Sequence, residues 1–329
     1  MGLNLFYREP DPDRWIKWDR YPRSLVRRWI RGPRRIGGQE RVWMNLKAGL
    51  RRLGVDFREN DFRHARRNPE EPVGIVGKSC VLDQMRWENP ILFGASVMSH
   101  PLEDPDLMRR LPVRRILVPG EWMRRMCEPF WGGGVQVWPV GIDTDRWMPA
   151  PGRAKDLDVL VYNKVRWEND RYEAELLEPI RKELRHRRLR VAEIRYGSYR
   201  EEEFMEVLKR AKSMVFVCEH ETQGLAYQEA LSAGVPVLAW DRGGEWRDPA
   251  YHPDRVRFGP VSSVPYWSAE CGEKFCGVED FREILEVFWK GVGGGRYDPR
   301  GYVVRNLGLK ECAAEYLRHW EESFGGALP

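Results

Sequence analysis

Residues 213–244 read SMVFVCEHETQGLAYQEALSAGVPVLAWDRGG. Met214–Cys218 is a short apolar run rich in β-branched and aromatic residues, the pattern of a strand buried on both faces. Glu219 to Gln223 is polar, and Gly224 breaks the pattern. Leu225 to Ala233 carries helical spacing, with Leu225, Gln228, Glu229 and Ser232 three or four residues apart and Gly234 placed to end the helix. Val235–Trp240 predicts a second buried strand, with Pro236 near its start, where a missing N–H is tolerated. The stretch is one β-loop-α-β unit, and such units build parallel sheets.

The chemistry of this unit gathers at the loop and the helix start. Glu221 precedes the helix and Glu229 follows two turns on. Gly224 lets a ligand come close to the backbone. The first N–H groups of a helix lack internal partners and favour an anion. Two carboxylates cannot hold a phosphate themselves, but they accept hydrogen bonds from hydroxyls. A phosphate at the helix start, with a sugar and a ribose attached to it, would satisfy all of these groups.

On these residues the chain resembles the retaining GT-B glycosyltransferases, closest to their family 4. Glu221 and Glu229 match its E-x7-E motif. Gly224, Glu229-Ala230, Ala233-Gly234-Val235-Pro236-Val237, Gly243-Gly244 and Glu245 follow in its order. Pro139-Val-Gly-Ile-Asp143 matches its P-x-G-V-D signature. The resemblance implies an α/β fold with two Rossmann-like domains facing a cleft. It implies an acceptor domain over 1–145, a donor domain over 156–305, and a terminal helix over 306–329 crossing back to the first domain. Thr144 to Asp156, with Pro149, Pro151 and Gly152, is the expected linker.

The resemblance also implies roles. Glu229 would hold the ribose, Glu221 the sugar hydroxyls, and the backbone at Gly224 and Leu225 would meet the sugar. His100, after the strand Ile91–Phe93, would reach the donor sugar, although it reads equally as a structural loop histidine. Gly37-Gly38, before an amphipathic helix with Val42, Leu46, Leu50 and Leu53 on one face, would approach the donor phosphate. The family's phosphate-binding pair is altered here. Lys164 aligns with its arginine, Arg166 is left to supply the second charge, and Asn169 falls where a lysine is expected. The implied donor is a UDP- or GDP-sugar, with no cofactor and no metal. Two other readings stay open, a nucleotide-sugar epimerase of the same fold and a non-catalytic glycosyltransferase-like subunit.

Composition sets the frame. The chain has 329 residues, which favours two domains, and 42% hydrophobic content, enough for two cores. No run is long and apolar enough for a membrane span, and the N-terminal residues carry no signal-peptide pattern, so a cytoplasmic protein is expected. Six scattered cysteines, without a CxxC pair, predict reduced thiols. Net charge is +5, yet residues 1–60 hold 15 Lys/Arg against 7 Asp/Glu, leaving the remainder slightly acidic. Within residues 14–35, Trp15, Trp18, Tyr21 and Trp29 interleave with arginines. Such a surface suits an anionic membrane or, less well, nucleic acid. It fits equally a subdomain whose tryptophans pack while its arginines stay solvated. The acceptor expected from this charge is a glycan or lipid-linked glycan. Past Gly244, Arg255–Phe258 predicts a short strand and Ser262–Trp267 an exposed loop.

Overall fold

A strand whose side chains are apolar on both faces must be covered on both faces, and this requirement shapes the protein. The structure is a computed structural model and describes residues 2–8, Pro22, Val26, Trp29, 36–95 and 98–325. Apart from Pro22, Val26 and Trp29, the basic aromatic segment 14–35 therefore lies outside the described residues; Val26 and Trp29 are exposed. The chain divides into two compact units. The first takes the chain up to Pro119, then Cys127–Trp138 and the segment from Ala313 on; the second takes Gly120–Met126 and Pro139–Cys312.

The first unit holds a parallel six-stranded sheet. Its strands are β1 (Leu3–Phe6), β2 (Phe57–Glu59), β3 (Val73–Ile75), β4 (Ile91–Gly94), β5 (Val113–Val118) and β6 (Val135–Val137), in the order β2-β1-β3-β4-β5-β6. Helix α1 (Gly38–Arg52) buries Val42, Trp43, Leu46 and Leu50. Leu53 falls outside its apolar stripe, because the helix ends at Arg52 and leaves Leu53 as an exposed C-cap.

The second unit holds a parallel five-stranded sheet of β7 (Leu157–Asn163), β8 (Val191–Arg195), β9 (Ala211–Val217), β10 (Val237–Trp240) and β11 (Gly272–Phe275). Its order is β11-β10-β9-β7-β8. Alternate residues face opposite sides. Leu160, Tyr162, Met214 and Phe216 pack in one core with α3 (Glu201–Arg210) and α4 (Leu225–Ser232). Val159, Val161, Val215, Val217 and Leu238 pack in the other with α2 (Glu178–His186) and α5 (Val278–Gly293). The register aligns Asn163 with Arg195 on one side and Val217 on the other, so the last residues of β8, β7 and β9 form one rim.

Two expectations past Gly244 fail. Residues 255–258 form no strand; Phe258 O instead accepts from Trp246 N at 2.7 Å, folding the segment back along the loop. Residues 262–267 are not an exposed loop, since Ser263 and Val264 are buried. Asp241 Oδ1 accepts from Ser263 N at 2.9 Å, and the Tyr227 hydroxyl donates to Tyr266 O at 3.0 Å, drawing the loop inward. All six cysteines are free thiols, and among the described residues no helix is long and apolar enough to cross a membrane.

Candidate functional site

The site is built on the rim of the second unit. β9 ends at Val217, and Cys218–Gly224 carries the chain to α4. Gly224 has φ +75°, and a Cβ there would lie 2.1 Å from Tyr227 Cε1, so only glycine fits this turn. The backbone of Glu221 is fixed from two directions. Its N–H donates to Ser262 O at 2.9 Å, and its carbonyl accepts from Trp122 Nε1 at 2.8 Å. Its carboxylate is buried and paired with Lys164. Burial, the largest single effect, works to lower the Lys164 pKa, but Glu221 with Cys218 and Tyr196 together turn the net direction up. Lys164 Nζ also stands 4.3 Å over the Tyr196 ring.

Glu229 is half-buried on α4. Tyr162 and Tyr199 stand in its field, joined hydroxyl to hydroxyl at 2.6 Å. Burial first, then Tyr199 and the charges of Glu221 and Glu229, push the Tyr162 pKa up. Tyr199 is pushed up to about 12, mainly by burial, with Glu229 adding to it. Tyr162 thus senses both carboxylates, and the fold brings Lys164 against Glu221.

Three residues that the motif does not single out complete the surroundings. Glu219, 1% exposed, accepts from the N–H groups of Arg166 and Trp167 at 2.9 Å each through Oε1. It thereby shapes the loop after β7, while its Oε2 is buried without a hydrogen-bond partner. His220 is buried between Trp167, stacked at 5.0 Å, and Trp122, edge-on at 5.7 Å. Burial lowers its pKa to about 4, and Arg166 and Arg242 act in the same direction. Arg195, the last residue of β8, donates to Asn169 Oδ1 at 3.4 Å. The sequence signal for Glu219 and His220 was two polar residues directly after a buried strand; Arg195 had none.

Arg166 itself is exposed, its guanidinium 4.2 Å over the Trp167 ring. Leu225, half-buried, packs against the core at the start of α4. His100 and the glycine pair belong to the first unit. His100 is 3% exposed, and its Nδ1 accepts from Leu102 N at 3.1 Å, capping the turn Pro101–Glu103. Gly37 is the N-cap of α1 with φ −77°, and a Cβ on Gly37 or Gly38 would meet nothing within 4 Å. Among the described residues no group of three or more His, Cys, Asp or Glu is placed to hold a metal ion.

No family model matches the chain, and no curated protein matches its sequence. Solved structures do share its fold. WaaB, a lipopolysaccharide outer core galactosyltransferase in its apo form, aligns with a TM-score of 0.53 at 11% identity, over 98% of this chain and 99% of that one. AviGT4, a glycosyltransferase involved in avilamycin A biosynthesis, aligns at 0.49 and 16% identity, over 99% and 98%. WaaG, a glycosyltransferase involved in lipopolysaccharide biosynthesis, aligns at 0.49 and 12%, over 98% and 100%. The likeness to WaaB shows the fold: two parallel-sheet α/β domains of the GT-B type.

Proposed function

We propose that this protein is a retaining glycosyltransferase that moves a sugar from a UDP- or GDP-sugar to an acceptor hydroxyl without a metal. One observation carries the reading: Glu221 pairs with Lys164 at the carboxyl ends of a parallel sheet, on the loop that leads into the helix carrying Glu229. Ligands of open α/β sheets bind outside these strand ends. Glu229 takes the ribose hydroxyls, and Glu221 takes those of the sugar. Lys164 faces the diphosphate and stabilises the charge that grows on the leaving oxygen. As the anomeric C–O bond breaks, its electron pair goes to the phosphate oxygen. The acceptor oxygen forms the new bond on the same face, and its proton passes to the departing phosphate. His100 is assigned to the donor sugar. The charge surplus of residues 1–60 favours an acceptor glycan that is anionic or lies on an anionic surface.

The test is a titration with UDP, GDP and ADP, followed by turnover of the matching sugar nucleotides. Glu229→Ala is expected to weaken nucleotide and sugar nucleotide alike by about 1.5–3 kcal/mol, since both contain ribose. Glu221→Gln is expected to lower turnover more than nucleotide affinity. Unchanged nucleotide affinity in Glu229→Ala removes its ribose role. An epimerised sugar formed without any acceptor would replace the transferase reading with an epimerase.

A further inference from the structure

The carboxyl ends of the second sheet carry Glu221 and Lys164; a cavity of about 440 Å³ lies at the amino ends of the same strands. Lys155 stands just before β7, Lys212 is the second residue of β9, and Pro236 directly precedes β10. These three strands are neighbours in the sheet. The facing wall is the last turn of α5 and the chain beyond it, with Trp289, Val292 and Tyr297. A Cβ on Gly291 would lie 2.6 Å from the Tyr297 ring, so the glycine lets that ring settle on the helix end. The Tyr297 hydroxyl donates to Glu273 Oε1 at 3.0 Å and fixes the ring there.

The charged groups of the lining are the two lysines, and they differ. Lys212 pairs with Asp158 at 2.8 Å. Lys155 is half-buried, and its Nζ donates to Gly234 O at 3.4 Å. Among the described residues no carboxylate lies within ion-pair reach of it. The carboxylates around the cavity are already held. Asp156 pairs with Arg210, Asp158 also with Arg190, and Glu273 with Arg296. Burial lowers the Lys155 pKa, a cost to its charge that an anion in the cavity would offset. One uncompensated cation suits a single negative charge better than a phosphate dianion. The rings of Trp289 and Tyr297 suit a flat apolar body. Ligand sites span about 300–1,000 Å³, and a cavity of about 150 Å³ already holds benzene, so two fused rings with a carboxylate fit this volume.

We propose that this cavity is a second binding site, at the opposite edge of the sheet from Glu221, and that it takes an aromatic monocarboxylate, its carboxylate on Lys155 and its rings against Trp289 and Tyr297. The simpler role for Lys155 is to cap α4 through Gly234 O. A cap alone would give no preference for an acid over a neutral molecule of the same shape.

The experiment titrates the full chain with 2-naphthoate and with its neutral counterpart 2-naphthalenemethanol, by ligand-observed NMR and calorimetry. The wild type is expected to bind the acid roughly 10-fold more tightly than the alcohol. Lys155→Met should lose that preference and keep the alcohol, which reports that the cavity is intact. Trp289→Ala should weaken both probes. If Lys155→Met loses both, Lys155→Arg decides: a retained preference for the acid supports the site, and equal binding of the two probes overturns it. The proposal is also overturned if the wild type binds neither probe, if it binds them equally, or if Lys155→Met binds naphthoate like the wild type.

Discussion

At the scale of single residues, His220 has the sharpest consequence. Its ring is buried between two tryptophans and its pKa falls from 6.5 to about 4, mainly through loss of solvent. Between those values the unfolded chain binds a proton that the folded protein refuses. Stability therefore falls as pH drops through this window and levels off below it, a loss of roughly 3 kcal/mol from this group. His220→Phe removes the titration. Urea unfolding at pH 7 and pH 4 should show the wild type losing roughly that much more than the variant. An equal loss in both would mean that His220 is not the group responsible. Glu219 works differently: its Oε1 takes two backbone N–H groups and so holds the loop after β7 in place.

Among the elements, α4 depends on its first turn. With φ +75° and the Tyr227 ring at 2.1 Å from any Cβ, Gly224→Ala strains the backbone and clashes in one step. The expected cost is about 2 kcal/mol or more, with weakened nucleotide binding as the loop shifts. Gly37→Ala is the matched control. Gly37 sits at φ −77°, where a Cβ meets nothing, and the change should stay within about 0.5 kcal/mol. Denaturant midpoints of the two variants decide this. Similar midpoints would show that Gly224 has no special requirement.

Across the whole molecule, the last helix, α6 (Leu309–Phe324), matters to the first unit, which includes the chain from Ala313 on. Tyr316, Leu317 and Trp320 are buried there, with the Tyr316 ring 5.2 Å from Trp138. The Tyr316 hydroxyl would stand 2.3 Å from a Cβ on Gly74, so the ring packs directly on the sheet. His319 Nε2 donates to Val137 O at 3.0 Å, and Arg115 pairs with Glu322 at 2.6 Å. Each large apolar side chain uncovered costs about 1.5–3 kcal/mol, and whole domains are stable by only about 5–15 kcal/mol. Deleting residues from Ala313 on should leave the first unit open to protease while the second unit survives as a core. Limited proteolysis read by mass spectrometry checks this; an intact first unit would show that the helix is dispensable.

The β-loop-α-β unit over 213–244 was legible in the chain because its signals are local. Apolar runs, a helical period and a glycine at the turn need no knowledge of distant residues, and with them came Glu221, Gly224 and Glu229. The strand expected at 255–258 failed for the same reason turned round: a short mixed run fits a strand or a loop, and Trp246 decided between them. The exposed loop expected at 262–267 failed because Asp241 and Tyr227, both distant in sequence, hold it inward. Only the tertiary structure set Lys164 against Glu221, Glu219 under the loop at 166–167, and Arg195 against Asn169. Those meetings follow from the register of parallel strands. Packing of both sheet faces sets that register, and no spacing within a single segment encodes it.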